Sequence, residues 1–292
     1  MKLSEINIYP IKSLGGISLA EARIEERGLR FDRRRMLVDA QGNFLTQREF
    51  PKMATLKVSL AAEGLQIKDG NETLFVPFAP TSSEKIKVKV WSSRCNALLY
   101  DETINEWFSA ALKTNCRLAF MPDESRRLVN PFYAVRKFQD AVSFADGYPF
   151  LLIGEGSLAD LNARLDEAIP MNRFRPNFVV KNTEVFAEDD WKKVRIGETV
   201  FHVVKPCARC SITTIDQERG VSDGKEPLRT LAQYRLVKRA GKQKILFGQN
   251  LIAENFGANI KVGDRLEILE TRRKSVLKNK TFSGKQKSIF ES

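Results

Sequence analysis

Histidine is nearly absent, with His202 alone among 292 residues, and cysteine is scarce, limited to Cys95, Cys116, Cys207 and Cys210. A closed zinc site takes about four Cys or His ligands. Cys95 and Cys116 lie far upstream of the other pair at no ligand-like spacing, so structural zinc fits poorly. Four cysteines in a chain of this length make no disulfide framework, which favours a reducing compartment, and a cytoplasmic location is the expectation. No apolar run approaches the roughly 20 residues that cross a bilayer, so no transmembrane segment is expected. Met1 to Tyr9 reads as an alternating strand and carries no signal-peptide apolar block. After Leu269 there is no cysteine, so the chain has no ligands for an iron–sulfur cluster there.

Acidic charge is also short: 36 Asp and Glu face 48 Lys and Arg, a net charge of +12. The excess is uneven. Thr271 to Ser292 holds Arg272, Arg273, Lys274, Lys278, Lys280, Lys285 and Lys287 against Glu291, which is +6 of the +12. Low apolar content and no periodicity make this stretch a solvated, mobile tail on a mildly basic body. Nucleic-acid binding is disfavoured, because the charge is concentrated in the tail and the body has no interleaved aromatic and basic motif.

What is present is mostly strand. Glu5 to Tyr9, Arg35 to Asp39, Thr55 to Leu60 and the alternating Lys85 to Trp91 are short strands separated by turns such as Gly15-Gly16 and Gln41-Gly42-Asn43. Asp101 to Lys113 places Ile104, Trp107, Phe108, Ala111 and Leu112 on one face of a helix. Residues 121–140, rich in Arg, Pro and Asp, read as a linker. Ser157-Leu158-Ala159-Asp160 has the pattern of a capping box opening a helix that Pro170 ends. Further strands are expected at Phe178 to Lys181, Lys192 to Ile196, Val200 to Lys205, Ile212 to Ile215 and Leu266 to Leu269, with a helix from Pro227 to about Tyr234. The fold class is mixed but β-rich (α+β), with barrel-like sheets.

Cys207-Ala208-Arg209-Cys210 carries the most chemical information. Two thiols three residues apart, beside Lys205 and Arg209, suit a metal or redox chemistry. A thioredoxin-type pair opens a helix, whereas both flanks here read as strand, which puts the pair in a strand-to-strand loop. What remains is one thiolate on a metal whose other ligands belong to a cofactor. Cationic and small residues recur at other loop positions: Lys12-Ser13, Asp32-Arg33-Arg34, Thr46-Gln47-Arg48, Arg173-Phe174-Arg175-Pro176-Asn177 and Phe247-Gly248-Gln249-Asn250. Arg and Lys suit a phosphate, and Asn suits a heterocycle edge. For Arg33 to Arg35 the alternative is a solvated face. His202, mid-strand, reads as structural.

Taken together in this order, these segments resemble the MOSC family, named for the C-terminal domain of molybdenum-cofactor sulfurase, in the branch of the amidoxime-reducing components and their bacterial relatives. Tyr9-Pro10-Ile11-Lys12-Ser13, Gly28-Leu29-Arg30 and Asp32-Arg33 resemble the N-terminal β-barrel-like domain. Phe174-Arg175-Pro176-Asn177, Cys207 to Cys210 with Thr213-Thr214, Lys225-Glu226-Pro227-Leu228 and Leu246-Phe247-Gly248-Gln249 resemble the MOSC domain. The resemblance implies an N-terminal domain over 1–120, a linker over 121–140, a MOSC domain over 141–270 and a tail over 271–292. It implies the molybdenum cofactor (molybdopterin), with Cys210 as metal ligand and catalytic residue and Cys207 in a lesser role. Lys12, Ser13, Arg33, Asp146, Arg175, Asn177, Arg209 and Asn250 would contact the cofactor. Departures include Arg35 at a position often aromatic in this branch. The implied activity is reduction of N-hydroxylated compounds with electrons from a separate ferredoxin or flavoprotein. The alternative is a carrier or transfer protein for the cofactor or its sulfur.

Overall fold

The computed structural model describes residues 1–222, 224–239 and 241–272, so the basic stretch expected to form a mobile tail lies, from 273 onward, outside the described residues. The largest sheet has nine strands. Its order runs Ile17–Leu19, Lys2–Ile8, Phe178–Lys181, Phe150–Gly154, Lys242–Ala253, Thr199–Ala208, Trp191–Ile196 and Leu266–Thr271, with Leu236–Arg239 paired to Lys242–Ala253 off this path. Neighbours are antiparallel except Phe150–Gly154 and Phe178–Lys181, which run parallel. The first strand of the chain pairs with Phe178–Lys181, Leu3 facing Val180 and Ile6 facing Phe178, so the N-terminal segment completes a sheet built mostly from the second half.

The buried faces of these strands form one core in which Phe150, Phe178 and Phe201 meet, Phe150 stacking on Phe178 at 5.5 Å. A second sheet orders Arg35–Val38, Arg117–Phe120, Ser93–Leu99 and Lys85–Val90. The Glu102–Leu112 helix buries Ile104, Phe108 and Leu112 in an adjoining core, with Trp107 and Ala111 partly buried beside them, as the spacing predicts. Lys113 closes it in a left-handed cap at φ 52°. The fold is strand-rich and its sheets are mixed, with no closed barrel among the described residues.

Three local expectations are corrected. Ser211–Thr214 is a short 3-10 helix, not a strand; Ile215–Asp216 alone pairs, with Val221–Ser222. The β-branched residues suggested a strand, but Thr213 donates back to the Cys210 carbonyl through its N–H at 3.1 Å and its hydroxyl at 2.9 Å, which closes a turn. Phe247 to Asn250 is not a loop but the middle of the twelve-residue Lys242–Ala253 strand. Gly248 sits there at φ +79°, where a Cβ would come within 2.7 Å of the Ile153 side chain and 3.0 Å of the Leu152 carbonyl, so glycine is required. The Ser157 capping box is absent: the helix is Glu155–Asn162, and the Ser157 hydroxyl bonds the buried Glu188 carboxylate at 2.8 and 2.9 Å.

Residues 121–140 are irregular but packed. Arg127, 4% exposed, donates to the carbonyls of Ser143, Ala145 and Asp146 and to the Ser93 hydroxyl. This one side chain fixes the loop that carries Asp146. Burial pulls its guanidinium below the ordinary arginine range.

Candidate cofactor cleft

Lys12 and Ser13 follow the first strand, Arg33 ends a turn over 30–33, Asp146 sits on the loop held by Arg127, and Arg175 ends the Met171–Phe174 3-10 turn. Cys207 lies near the end of the Thr199–Ala208 strand and Cys210 heads the Ser211–Thr214 turn. These segments converge on one cleft. All nine residues expected at a site line it: Lys12, Ser13, Arg33, Asp146, Arg175, Asn177, Arg209, Cys210 and Asn250. Ser13, Arg33 and Arg175 have left-handed backbones, φ 69°, 49° and 54°, a cost tolerated where surroundings fix side chains in place.

Tyr9 organises one wall. The guanidiniums of Arg33 and Arg175 lie 4.4 and 4.2 Å from its ring centroid. Arg33 pairs with buried Asp32 at 2.7 Å, and Asp32 also accepts the Tyr9 N–H at 2.8 Å. Arg175 donates to the Leu14 carbonyl at 2.6 Å and to Gln217 at 3.1 Å; Gln217 in turn meets Gln47, which donates to the Ser13 carbonyl at 2.7 Å. Burial pushes the Tyr9 phenol up to about 12, against the two arginines. Burial likewise pulls Arg175 down to about 10, which leaves it cationic at neutral pH. Asn177 is 1% exposed; its amide donates to the Asn7 carbonyl at 3.1 Å and accepts from the Leu151 N–H at 3.2 Å, which ties two strands together.

Lys12 bonds Asp146 at 2.6 Å and the Phe144 carbonyl at 2.9 Å. Burial lowers the Lys12 ammonium and Asp146 partly restores it. Partial desolvation in the cleft would raise the Asp146 carboxyl, but the charge and hydrogen bond of Lys12, the Trp91 N–H and Arg33 together hold it far below the ordinary carboxylate range. Asp146 is therefore ionised at neutral pH and holds no proton to give away.

Cys210 Sγ lies 3.9 Å from Arg48 Nη1, and the Arg48 guanidinium stacks 4.6 Å from Trp91. Cys207 Sγ accepts from Arg209 Nη1 at 3.0 Å; Arg209 also donates to the Phe174 carbonyl at 2.8 Å, while its Nε is buried without a partner. Asn250 donates to the Lys205 carbonyl at 3.1 Å. Both thiols are free, and no cluster of three or more His, Cys, Asp or Glu suited to a metal occurs among the described residues. His202 pairs with Glu254 at 2.8 Å and does not line the cleft, in keeping with a structural part. Asp146 is the one acid on the lining, against Lys12, Arg33, Arg48, Arg175 and Arg209. Arg48 stood among the loop cations in the sequence, but Phe44, which also lines the cleft, gave no signal there.

The family model described as MOSC N-terminal beta barrel domain matches residues 1–115, and that described as MOSC domain matches 139–267. Mitochondrial amidoxime-reducing component 1 of Mus musculus is 35% identical over 280 residues, covering 91% of this chain and 82% of that protein. The chain belongs to the MOSC family. Mitochondrial amidoxime reducing component 2 of Rattus norvegicus is 34% identical over 276 residues, covering 90% of this MOSC protein and 81% of its own length. Molybdenum cofactor sulfurase of Oryza sativa subsp. japonica is 33% identical over 275 residues, covering 84% of this chain but 32% of the sulfurase. Among its described residues this MOSC protein has no helix long and apolar enough to cross a membrane.

Proposed function

We propose that this MOSC protein is a molybdenum-cofactor-dependent reductase of N-hydroxylated compounds, such as amidoximes, hydroxylamines and N-hydroxylated bases, supplied with electrons by a separate ferredoxin or flavoprotein. The observation that carries the reading is the cleft itself: two thiols, Cys207 and Cys210, share one lining with Lys12, Arg33, Arg48, Arg175 and Arg209, and a buried guanidinium nitrogen of Arg209 is left without a partner. That donor set fits an anionic, metal-bearing pterin. A self-contained metal site would need a richer cluster of protein ligands.

In this reading Cys210 holds the metal, and Lys12, Ser13, Arg33, Arg175 and Arg209 hold the phosphate and pterin edges by charge-assisted bonds. Two-electron oxygen-atom chemistry is what the cofactor supplies when bound. Arg48, 3.9 Å from the Cys210 sulfur, would stabilise the charge of that sulfur as a metal ligand. Asp146 stays an anion and suits a cationic amidine or amine product. Burial, Tyr133 and Cys207 raise the Tyr148 phenol, so it keeps its proton and offers a donor hydroxyl to the cleft. Four free cysteines fit a reducing, cytoplasmic setting.

The test is expression in a cofactor-competent host, molybdenum and pterin analysis, and reduction of benzamidoxime with a viologen dye as donor. Turnover with the dye, and none with reduced nicotinamide alone, is expected. Bound cofactor without turnover on any N-hydroxylated compound refutes the reductase and favours a carrier, the reading that the sulfurase likeness supports.

A further inference from the structure

A second cleft shares no lining residue with the first. Arg27, Arg30, Arg34, Arg35 and Arg126 line it, against Glu25, Glu26 and Asp123. Most of these arginines are engaged. Arg27 donates to the carbonyls of Asp123 and Ser125, each at 2.9 Å, Arg34 pairs with Asp123 at 2.7 Å, and Arg126 pairs with Glu26 at 2.8 Å. Arg30 lies 4.0 Å from Glu25, a loose pair with the Arg30 side chain half exposed.

Arg35 differs. It is 1% exposed, and no carboxylate among the described residues pairs with it. Its Nε donates to the Tyr100 hydroxyl at 2.9 Å and its Nη2 to the Phe78 carbonyl, while Nη1 is buried with no hydrogen-bond partner. A buried cation without a counter-charge is costly, and an apolar residue of similar volume at such a place is often neutral or stabilising. Burial accordingly pulls Arg35 below the ordinary arginine range, only partly offset by Tyr100. An anionic acceptor would supply both the missing hydrogen bond and the counter-charge. The walls are aromatic as well: Phe31 and Phe78 stack at 4.4 Å with planes 11° apart, and Arg35 lies 5.8 Å from the Phe78 ring and 5.6 Å from Phe120. Flat rings and guanidinium faces together suit a planar ring that carries an acid group.

We propose that this second cleft binds a small organic anion, a phosphate or carboxylate joined to a planar ring, with the acid group on Arg35 and Arg30 and the ring against the Phe31 and Phe78 pair. The test is titration calorimetry of the full chain with phenyl phosphate, benzoate and inorganic phosphate, on wild type, Arg35→Met and Arg30→Ala. One-to-one binding of phenyl phosphate or benzoate is expected, with a Kd of about 1 mM or tighter and inorganic phosphate about tenfold weaker. The tighter of the two ring acids identifies the acid group. Arg35→Met should weaken binding by about tenfold or more and melt no lower than wild type in anion-free buffer. Arg30→Ala, at a half-exposed position, should weaken binding several-fold with unchanged melting. No binding of either ring acid to wild type, or equal affinity in all three proteins, overturns the proposal. If Arg35→Met does not fold, unchanged affinity in Arg30→Ala overturns it alone.

Discussion

Replacing Lys12 with Met separates holding a cofactor from holding the fold. Lys12 is 7% exposed, and Met keeps most of its aliphatic stem while deleting the ammonium that bonds Asp146 and the Phe144 carbonyl. The Asp146 side chain is 63% exposed, so the ion pair is screened by water and contributes at most about 1 kcal/mol. Leaving the Phe144 carbonyl without its donor costs about 1 to 2 kcal/mol. Removing a buried charge returns a comparable amount. The net change in stability is within about 1 kcal/mol, or roughly 2 to 4 °C in melting temperature. A charge-assisted bond from the same ammonium to an anionic cofactor is about 1.5 to 3 kcal/mol, so cofactor affinity should fall about ten- to a hundredfold. Elemental analysis for molybdenum, beside a thermal melt of the same preparation, reads both quantities. Full molybdenum content in Lys12→Met, or a melting point lowered by more than about 10 °C, would refute the assignment, the first outcome showing no anchor and the second a structural ammonium.

Cys210→Ser should abolish dye-driven turnover by removing the soft ligand, whereas Cys207→Ser should keep a substantial part of it; equal losses in steady-state assays would show the ligand misassigned. Arg127→Met removes the donors that fix the carbonyls of residues 143, 145 and 146, so stability should fall by about 3 kcal/mol and molybdenum content with it, and a variant that melts and loads like wild type would reject that role. Glu188 is raised above its ordinary value by burial, in spite of hydrogen bonds from Ser157 and Gly154 and with Asp189 adding to the rise, so the folded state binds its proton more tightly than the unfolded chain. Its contribution is complete below the unfolded value and is lost as pH rises towards the folded one, so the melting temperature of Glu188→Gln relative to wild type should climb from pH 4 to neutrality, and a constant difference would refute the sign.

Period and composition by themselves determined a good part of this protein. The apolar stripe of Ile104, Phe108 and Leu112 specified a helix, and the alternation from Lys85 specified a strand, because each is a local pattern that one buried face enforces. The scarcity of histidine and cysteine left Cys207 to Cys210 as the candidate place for a metal, and the order of short motifs pointed to the MOSC family. Tertiary structure decided what depends on distant neighbours. The Lys242–Ala253 strand carries a glycine and polar residues that read as a loop, and it is a strand because Phe150–Gly154 and Thr199–Ala208 pair with its two edges. Ser157 caps nothing because a buried carboxylate 31 positions away takes its hydroxyl. Arg33, Arg34 and Arg35 are consecutive, yet the first lines one cleft and the other two line a second, a division that no charge count contains. Lys12 and Asp146 are 134 residues apart and meet at 2.6 Å only because Arg127, in a stretch that reads as a linker, holds the loop that brings the carboxylate to the ammonium.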